Sequence, residues 1–288
     1  MARWQARRDA LRAILETEHC VYPASVYDPA SARIAEHLDY EMGMYAGSLA
    51  SLAVLGDPDL ILLTLSEFAD QALRIGRASA LPLFADADHG YGNALNVRRT
   101  VEELETAGIA GLSIEDTDLP EPFGAGGKPR LLSIEEGVGK MRAALAGRSD
   151  PRLVIAGRTS AAHLTSVDDA IARSRAYAAA GVDAIFLVGV PSRAALEEIT
   201  AAIDLPVLLG GGDKALRDPA WLAERGVRFL LRGHQTYAAT VQALYDVMKA
   251  LRDGAAPEDL RGLADGELMR QVTRGDDYAQ ARQDWLQS

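Results

Sequence analysis

An apolar stretch, Leu81-Pro82-Leu83-Phe84-Ala85, stops at two carboxylates, Asp86 and Asp88, and runs into the glycine-rich turn His89-Gly90-Tyr91-Gly92-Asn93. Side chains at i and i+2 of a strand point to the same side. The two carboxylates are therefore expected to converge, which is costly unless a positive charge sits between them. A hard divalent cation with oxygen ligands, Mg2+ above all, answers that description. The plainer reading makes Asp and Gly simple cap and turn formers. It loses ground because acidic and polar residues recur where other apolar strands end.

Reading just past each apolar stretch collects Tyr27-Asp28, Ala46-Gly47-Ser48, Asp86 and Asp88, Glu115-Asp116, Arg158-Thr159 and Arg232-Gly233-His234. Asp86, Asp88 and Glu115 offer hard anionic oxygens. Arg158 is a planar fork suited to a substrate carboxylate. Gly47 and Ser48 offer backbone N–H groups and a hydroxyl to a developing oxyanion. Around one pocket, these groups describe a site for a small 2-keto acid. A bound cation would stabilise the enolate formed when a bond next to the carbonyl breaks.

Such a site needs a scaffold that gathers strand ends. Strands are expected at 21–26, 42–46, 82–85, 111–114, 153–156, 184–188, 207–209 and 229–231. Helical patterns lie between them at 31–38, 66–78, 94–107, 134–146, 167–180, 194–202 and 216–225, and one at 235–251 follows the last strand. Strict alternation of strand and helix implies a parallel sheet, and eight units imply a closed (β/α)8 TIM barrel. Working residues then belong at the C-terminal strand ends, where the list above falls. Gly108, Gly181 and Gly226 are expected to be left-handed helix caps. Residues 1–288 are read as a single barrel domain with an N-terminal helix over 1–15 and a C-terminal helical tail, weakly helical near 277–286.

A net charge of −11 argues against nucleic acid and anionic membranes as partners. The single cysteine, Cys20, excludes an intrachain disulfide and reads as a small buried hydrophobe. No apolar run approaches the ~18 residues of a membrane span. A cytoplasmic enzyme is the default class. Arg7-Arg8 and Arg98-Arg99 read as solvated helix faces, and His89 as a turn residue bonding backbone. Gly210-Gly211-Gly212 reads equally as an anion nest or a flexible turn.

The run Asp86 to Asn93 resembles the metal-binding signature of the isocitrate lyase / phosphoenolpyruvate mutase superfamily. So do Tyr27-Asp28-Pro29-Ala30-Ser31-Ala32, Gly56-Asp57-Pro58-Asp59, Gly111 to Asp116 and Ile134 to Lys140. The resemblance covers about Val21 to Asp246. It implies a Mg2+-dependent barrel, with Mn2+ acceptable to the same oxygens, and a homotetramer with an exchanged C-terminal helix. It implies direct metal binding by Asp86, with Asp59, Asp88 and Glu115 acting through water. It also implies substrate binding by Gly47, Ser48 and Arg158.

The lid region Phe123 to Arg130 lacks the cysteine motif of the superfamily's lyases and the Lys-x-Asn-Ser motif of its phosphonate enzymes. The remaining match is to the oxaloacetate decarboxylase branch, in which His234 would help bind and turn over the substrate. The activity implied is Mg2+-dependent decarboxylation of oxaloacetate, or a close 3-keto acid analogue, to pyruvate and carbon dioxide. The alternatives are another C–C or C–P bond enzyme for 2-keto acids, of phosphonopyruvate hydrolase, mutase or acid lyase type, and a non-catalytic keto-acid-binding barrel.

Overall fold

The structure is a computed structural model that describes residues 2–286. Eight strands follow one another around a parallel sheet: β1 (Ala24–Ser25), β2 (Gly43–Ala46), β3 (Leu83–Asp86), β4 (Gly111–Glu115), β5 (Val154–Thr159), β6 (Ala184–Val188), β7 (Val207–Gly210) and β8 (Val227–Leu231). A parallel bridge between Val21 and Phe229 joins the chain just before β1 to β8. The Leu230 N–H donates to the Val21 carbonyl at 3.0 Å and the Val21 N–H to the Arg228 carbonyl at 2.9 Å, which closes the ring as a (β/α)8 barrel. The first strand is shorter than 21–26 because only Ala24 and Ser25 run in register with β2.

Side-chain alternation divides the sheet into two faces. Met44, Phe84, Ala156, Phe186 and Phe229 point inward and fill the barrel, and the Phe84, Phe186 and Phe229 rings meet edge-on at 5.4–6.2 Å between centroids. Tyr45, Ala85, Leu112, Ile114, Ile155 and Leu187 point outward beneath the helices. The helices fall at Pro29–His37, Leu65–Ala78, Ala94–Thr106, Ile134–Gly147, Val167–Ala180, Arg193–Thr200 and Pro219–Ala223, with Gln235–Arg252 after β8. Gly108, Gly181 and Gly226 have φ of 87°, 102° and 76°, so each of the expected caps is left-handed.

Two helical pieces, Gly47–Ala50 and the wide-turn segment Ser51–Leu55, follow β2 directly, where no helix is expected from the sequence. Another, Gly266–Thr273, precedes the tail helix Gly275–Leu286.

The N-terminal helix Ala2–Glu16 caps the bottom of the barrel, with Leu11, Ile14 and Leu15 inserted against the inner layer. Met1 lies outside the described residues. Arg7 and Arg8 are buried, which corrects their reading as solvated residues. Arg7 donates to the carbonyls of Gly76, Ser79 and Ala80. Arg8 donates to those of Glu105 and Ile109 and pairs with Asp150 at 2.9 Å. Arg98 and Arg99 do face solvent, each in an i,i+4 pair with a glutamate.

Candidate active site

The inward parity that places Phe84 in the core carries Asp86, two residues on, to the top of the same face. Ala156 does the same for Arg158 on β5, and Glu115 ends β4 beside it, in register with Arg158. The Arg158 guanidinium pairs with Asp86 through Nη1 and with Glu115 through Nη2 at 3.2 Å. It lies over the Phe186 ring, 5.7 Å from the centroid, and its Nε is buried without a partner. Burial works against the charge on Arg158, but Asp86 and Glu115 outweigh it and hold the guanidinium protonated.

Asp88 arrives by a different route from the one its spacing suggests. β3 ends at Asp86, and Asp88 sits in the following turn with φ of 47°, a left-handed conformation that aspartate tolerates better than most residues. The Glu115 N–H donates to the Asp88 carbonyl at 2.9 Å and fixes that turn to β4. The carboxylate turns back against Gly47, where any Cβ would collide with it. Gly47 and Ser48 open the short helix after β2, whose first N–H groups have no partner within the helix.

The cluster is strongly acidic for its burial. Burial pushes the Asp88 carboxyl well up, and Asp86 and Glu115 push it further. Glu115 is raised by burial, with Arg158 opposing. Asp59, on the loop after Leu55, is raised by burial and by Asp86, while Arg158 and His234 oppose. In the outer layer, Tyr45 stacks on Phe68 and Tyr91 packs against the same ring. Both phenols are pushed up, first by burial and then by Asp88.

His234 ends the β8 loop and precedes the helix Gln235–Arg252. Its Nδ1 is 2.6 Å from the Ser25 hydroxyl at the end of β1. Burial lowers its pKa, against the pull of Asp86 and Asp59. Asp59, Asp86, Asp88, Glu115, Arg158 and His234 thus gather at one end of the barrel, with Gly47 and Ser48 beside them.

Other residues found at strand ends serve the fold. Asp28 caps the helix Pro29–His37 in a reciprocal capping box with Ser31. Asp116 turns away from the site to Arg173 at 3.0 Å and Tyr177 at 2.6 Å. Arg232 lies over the Tyr22 ring. His89 is buried with Nδ1 unpartnered, and it is the His89 carbonyl that takes a bond, from Lys140 at 2.8 Å. The Cys20 thiol is pushed up to about 12, chiefly by burial, and is correspondingly inert.

Ser113 and Ser25 escaped the sequence reading. Ser113 donates to Asp86 Oδ1 at 3.0 Å. Its signal is a small polar residue two before Glu115 in an otherwise apolar strand.

The donor set suits a hard cation. Asp59, Asp86, Asp88 and Glu115 face a single buried arginine, so negative charge is in excess. Among the described residues, no three His, Cys, Asp or Glu side chains stand close enough to clasp an ion between them. Mg2+ keeps several waters and needs only one or two direct carboxylates, so the residues present fit it.

A parallel eight-stranded barrel with an acidic, arginine-bridged pocket at its C-terminal strand ends defines a barrel enzyme for small anionic substrates. The phosphoenolpyruvate phosphomutase family pattern matches residues 11–252, and the chain belongs to that family. An oxaloacetate decarboxylase of Rhodopseudomonas palustris (strain BisA53) is 59% identical over 273 residues, covering 95% of this chain and 94% of its own. The structure of an oxaloacetate acetylhydrolase in complex with the product oxalate superposes with a TM-score of 0.84 at 28% identity, covering 96% of this chain and 97% of that one. A phosphonopyruvate hydrolase complex with oxalate and Mg2+ gives 0.82 at 27% identity, covering 97% and 98%.

Proposed function

We propose that this protein decarboxylates oxaloacetate, or a close 3-keto acid analogue, to pyruvate and carbon dioxide with the help of Mg2+. The observation that carries the reading is the convergence of Asp86, Glu115 and Arg158 at the top of the barrel with His234 at its rim. The near-full-length identity to oxaloacetate decarboxylases supports it.

In oxaloacetate the C4 carboxylate is β to the keto carbon. Breaking C3–C4 releases carbon dioxide and sends the bonding pair into C2–C3 and onto the keto oxygen. C3 then takes a proton from water. A divalent cation on Asp86, with Asp59, Asp88 and Glu115 holding its waters, would supply Lewis-acid stabilisation of that developing charge.

The chain's own groups do the remainder. Arg158, held in place by Asp86 and Glu115, presents its positive charge to the C1 carboxylate. Gly47 and Ser48 donate to the keto oxygen. His234 orients the C4 carboxylate. Product analysis by proton NMR tests the reaction: oxaloacetate should yield pyruvate with carbon dioxide, and acetate with oxalate instead would contradict the reading.

We also propose a homotetramer that exchanges the helix Gln235–Arg252. No residue of this helix is buried, and Val241, Leu244, Tyr245, Met248 and Leu251 form an exposed apolar stripe at helical spacing. A cavity of about 1100 Å³, separate from the acidic pocket, forms a groove beside Ala35, Leu38, Leu216 and Leu230 that suits an apolar helix. Light scattering should give about four times 30.8 kDa, and a monomer at working concentration would contradict the exchange.

A further inference from the structure

We propose that Ser25 sets the tautomer of His234, so that the imidazole meets the substrate as a neutral Nε2–H donor. Ser25 is the last residue of β1 and is buried, and its Oγ lies 2.6 Å from His234 Nδ1 across 209 residues of chain. A second bond holds the two elements in place: the Thr236 hydroxyl donates to the Ser25 carbonyl at 3.0 Å. The ring is therefore fixed to β1 at its Nδ1 edge, and Nε2 is the nitrogen left for chemistry.

A hydroxyl and a ring nitrogen can each donate or accept, so the contact alone allows either tautomer. The surroundings decide between them. Ser25 is buried and, among the described residues, its Oγ makes no hydrogen bond except the one to His234, so its O–H is satisfied only by donating to Nδ1. Nδ1 then carries the lone pair, and the Ser25 O–H fills it. Removing the hydroxyl strands a lone pair in a half-buried position and releases the ring to exchange tautomers. Ser25 is on this account a positioning residue: it acts through His234 and not on the substrate.

The effect on turnover rests on the decarboxylase reading, whereas the tautomer does not. The experiment is magic-angle-spinning 15N spectroscopy of the full-length protein with labelled histidine, with His234→Gln to assign the signals, beside steady-state kinetics on oxaloacetate. The wild type should show Nδ1 unprotonated and Nε2 protonated. Ser25→Ala should give a mixed or reversed pattern and lower kcat about tenfold, with KM changed less than about twofold, and Ser25→Thr should restore both. A wild-type proton on Nδ1, or a Ser25→Ala spectrum identical to wild type, overturns the proposal. The wild-type spectrum decides the tautomer even if Ser25→Ala does not fold. An expected wild-type spectrum in a protein that releases no pyruvate supports the tautomer and overturns the decarboxylase reading.

Discussion

The two ends of this barrel bury charge in opposite ways. At the bottom, Arg7, Arg8 and Arg12 from the N-terminal helix reach backbone carbonyls, and Arg8 and Arg12 also pair with Asp150 and Asp183 at 2.9 Å each. Each charge there has a partner of opposite sign or a carbonyl. At the top, Asp59, Asp86, Asp88 and Glu115 crowd one arginine, and burial and mutual repulsion raise three of them. The bottom lowers the energy of the folded chain. The top raises it and keeps the excess charge for a cation and an anionic substrate to balance. Like-charge crowding in a cleft marks a functional site, and satisfied pairs mark structure.

Substitutions at the two ends should separate along that line. Asp86→Ala should lower decarboxylation by roughly 10³-fold and abolish its metal dependence, with a melting temperature at or above that of the wild type. A clear drop in melting temperature would show that the top also serves stability. Arg158→Lys keeps the charge but loses the fork, and kcat/KM for oxaloacetate should fall on the order of 10²-fold. A change under threefold would remove Arg158 from substrate binding.

Arg8→Ala should do the reverse. It leaves Asp150 and Glu105 without their buried partner, so urea unfolding should show a loss of about 3 kcal/mol, while kcat stays within twofold.

The smallest effect concerns pH. Burial works to raise the Asp150 carboxyl, but bonds from Arg152 and Arg8 outweigh it and bring it down to about 2. A carboxyl lowered on folding stabilises the protein above its unfolded value of about 4. That contribution disappears as the pH falls from there towards 2. Asp150→Asn should flatten this part of the acid-unfolding curve, and an unchanged curve would contradict the pairing.

Much of this contrast was legible along the chain because strand–helix alternation and strand-end chemistry are local patterns. Ala184–Val188 and Val167–Ala180 fall within their expected bounds. Asp86, Glu115 and Arg158 meet because the register sets β3, β4 and β5 side by side. What escaped depends on distant partners. The carbonyls that bury Arg7 belong to Gly76, Ser79 and Ala80, so a charged helix face gave no sign of burial. Ser25 acquires a role only because the barrel closes and brings β1 beside β8. Asp28 had the chemistry of a site residue and the neighbours of a cap, and Pro29 and Ser31 decided for the cap. Strand alternation predicts that Asp88 converges with Asp86, but it is a left-handed turn that brings its carboxylate back, against Gly47.

The most direct test of the account is a coupled assay of pyruvate from oxaloacetate with enzyme and Mg2+, set against Mg2+ alone and against enzyme with EDTA. The account predicts pyruvate release well above the Mg2+ background and its loss on chelation. A rate equal to the metal-only background, or one that survives EDTA, would contradict the assignment of the acidic pocket to metal-assisted decarboxylation.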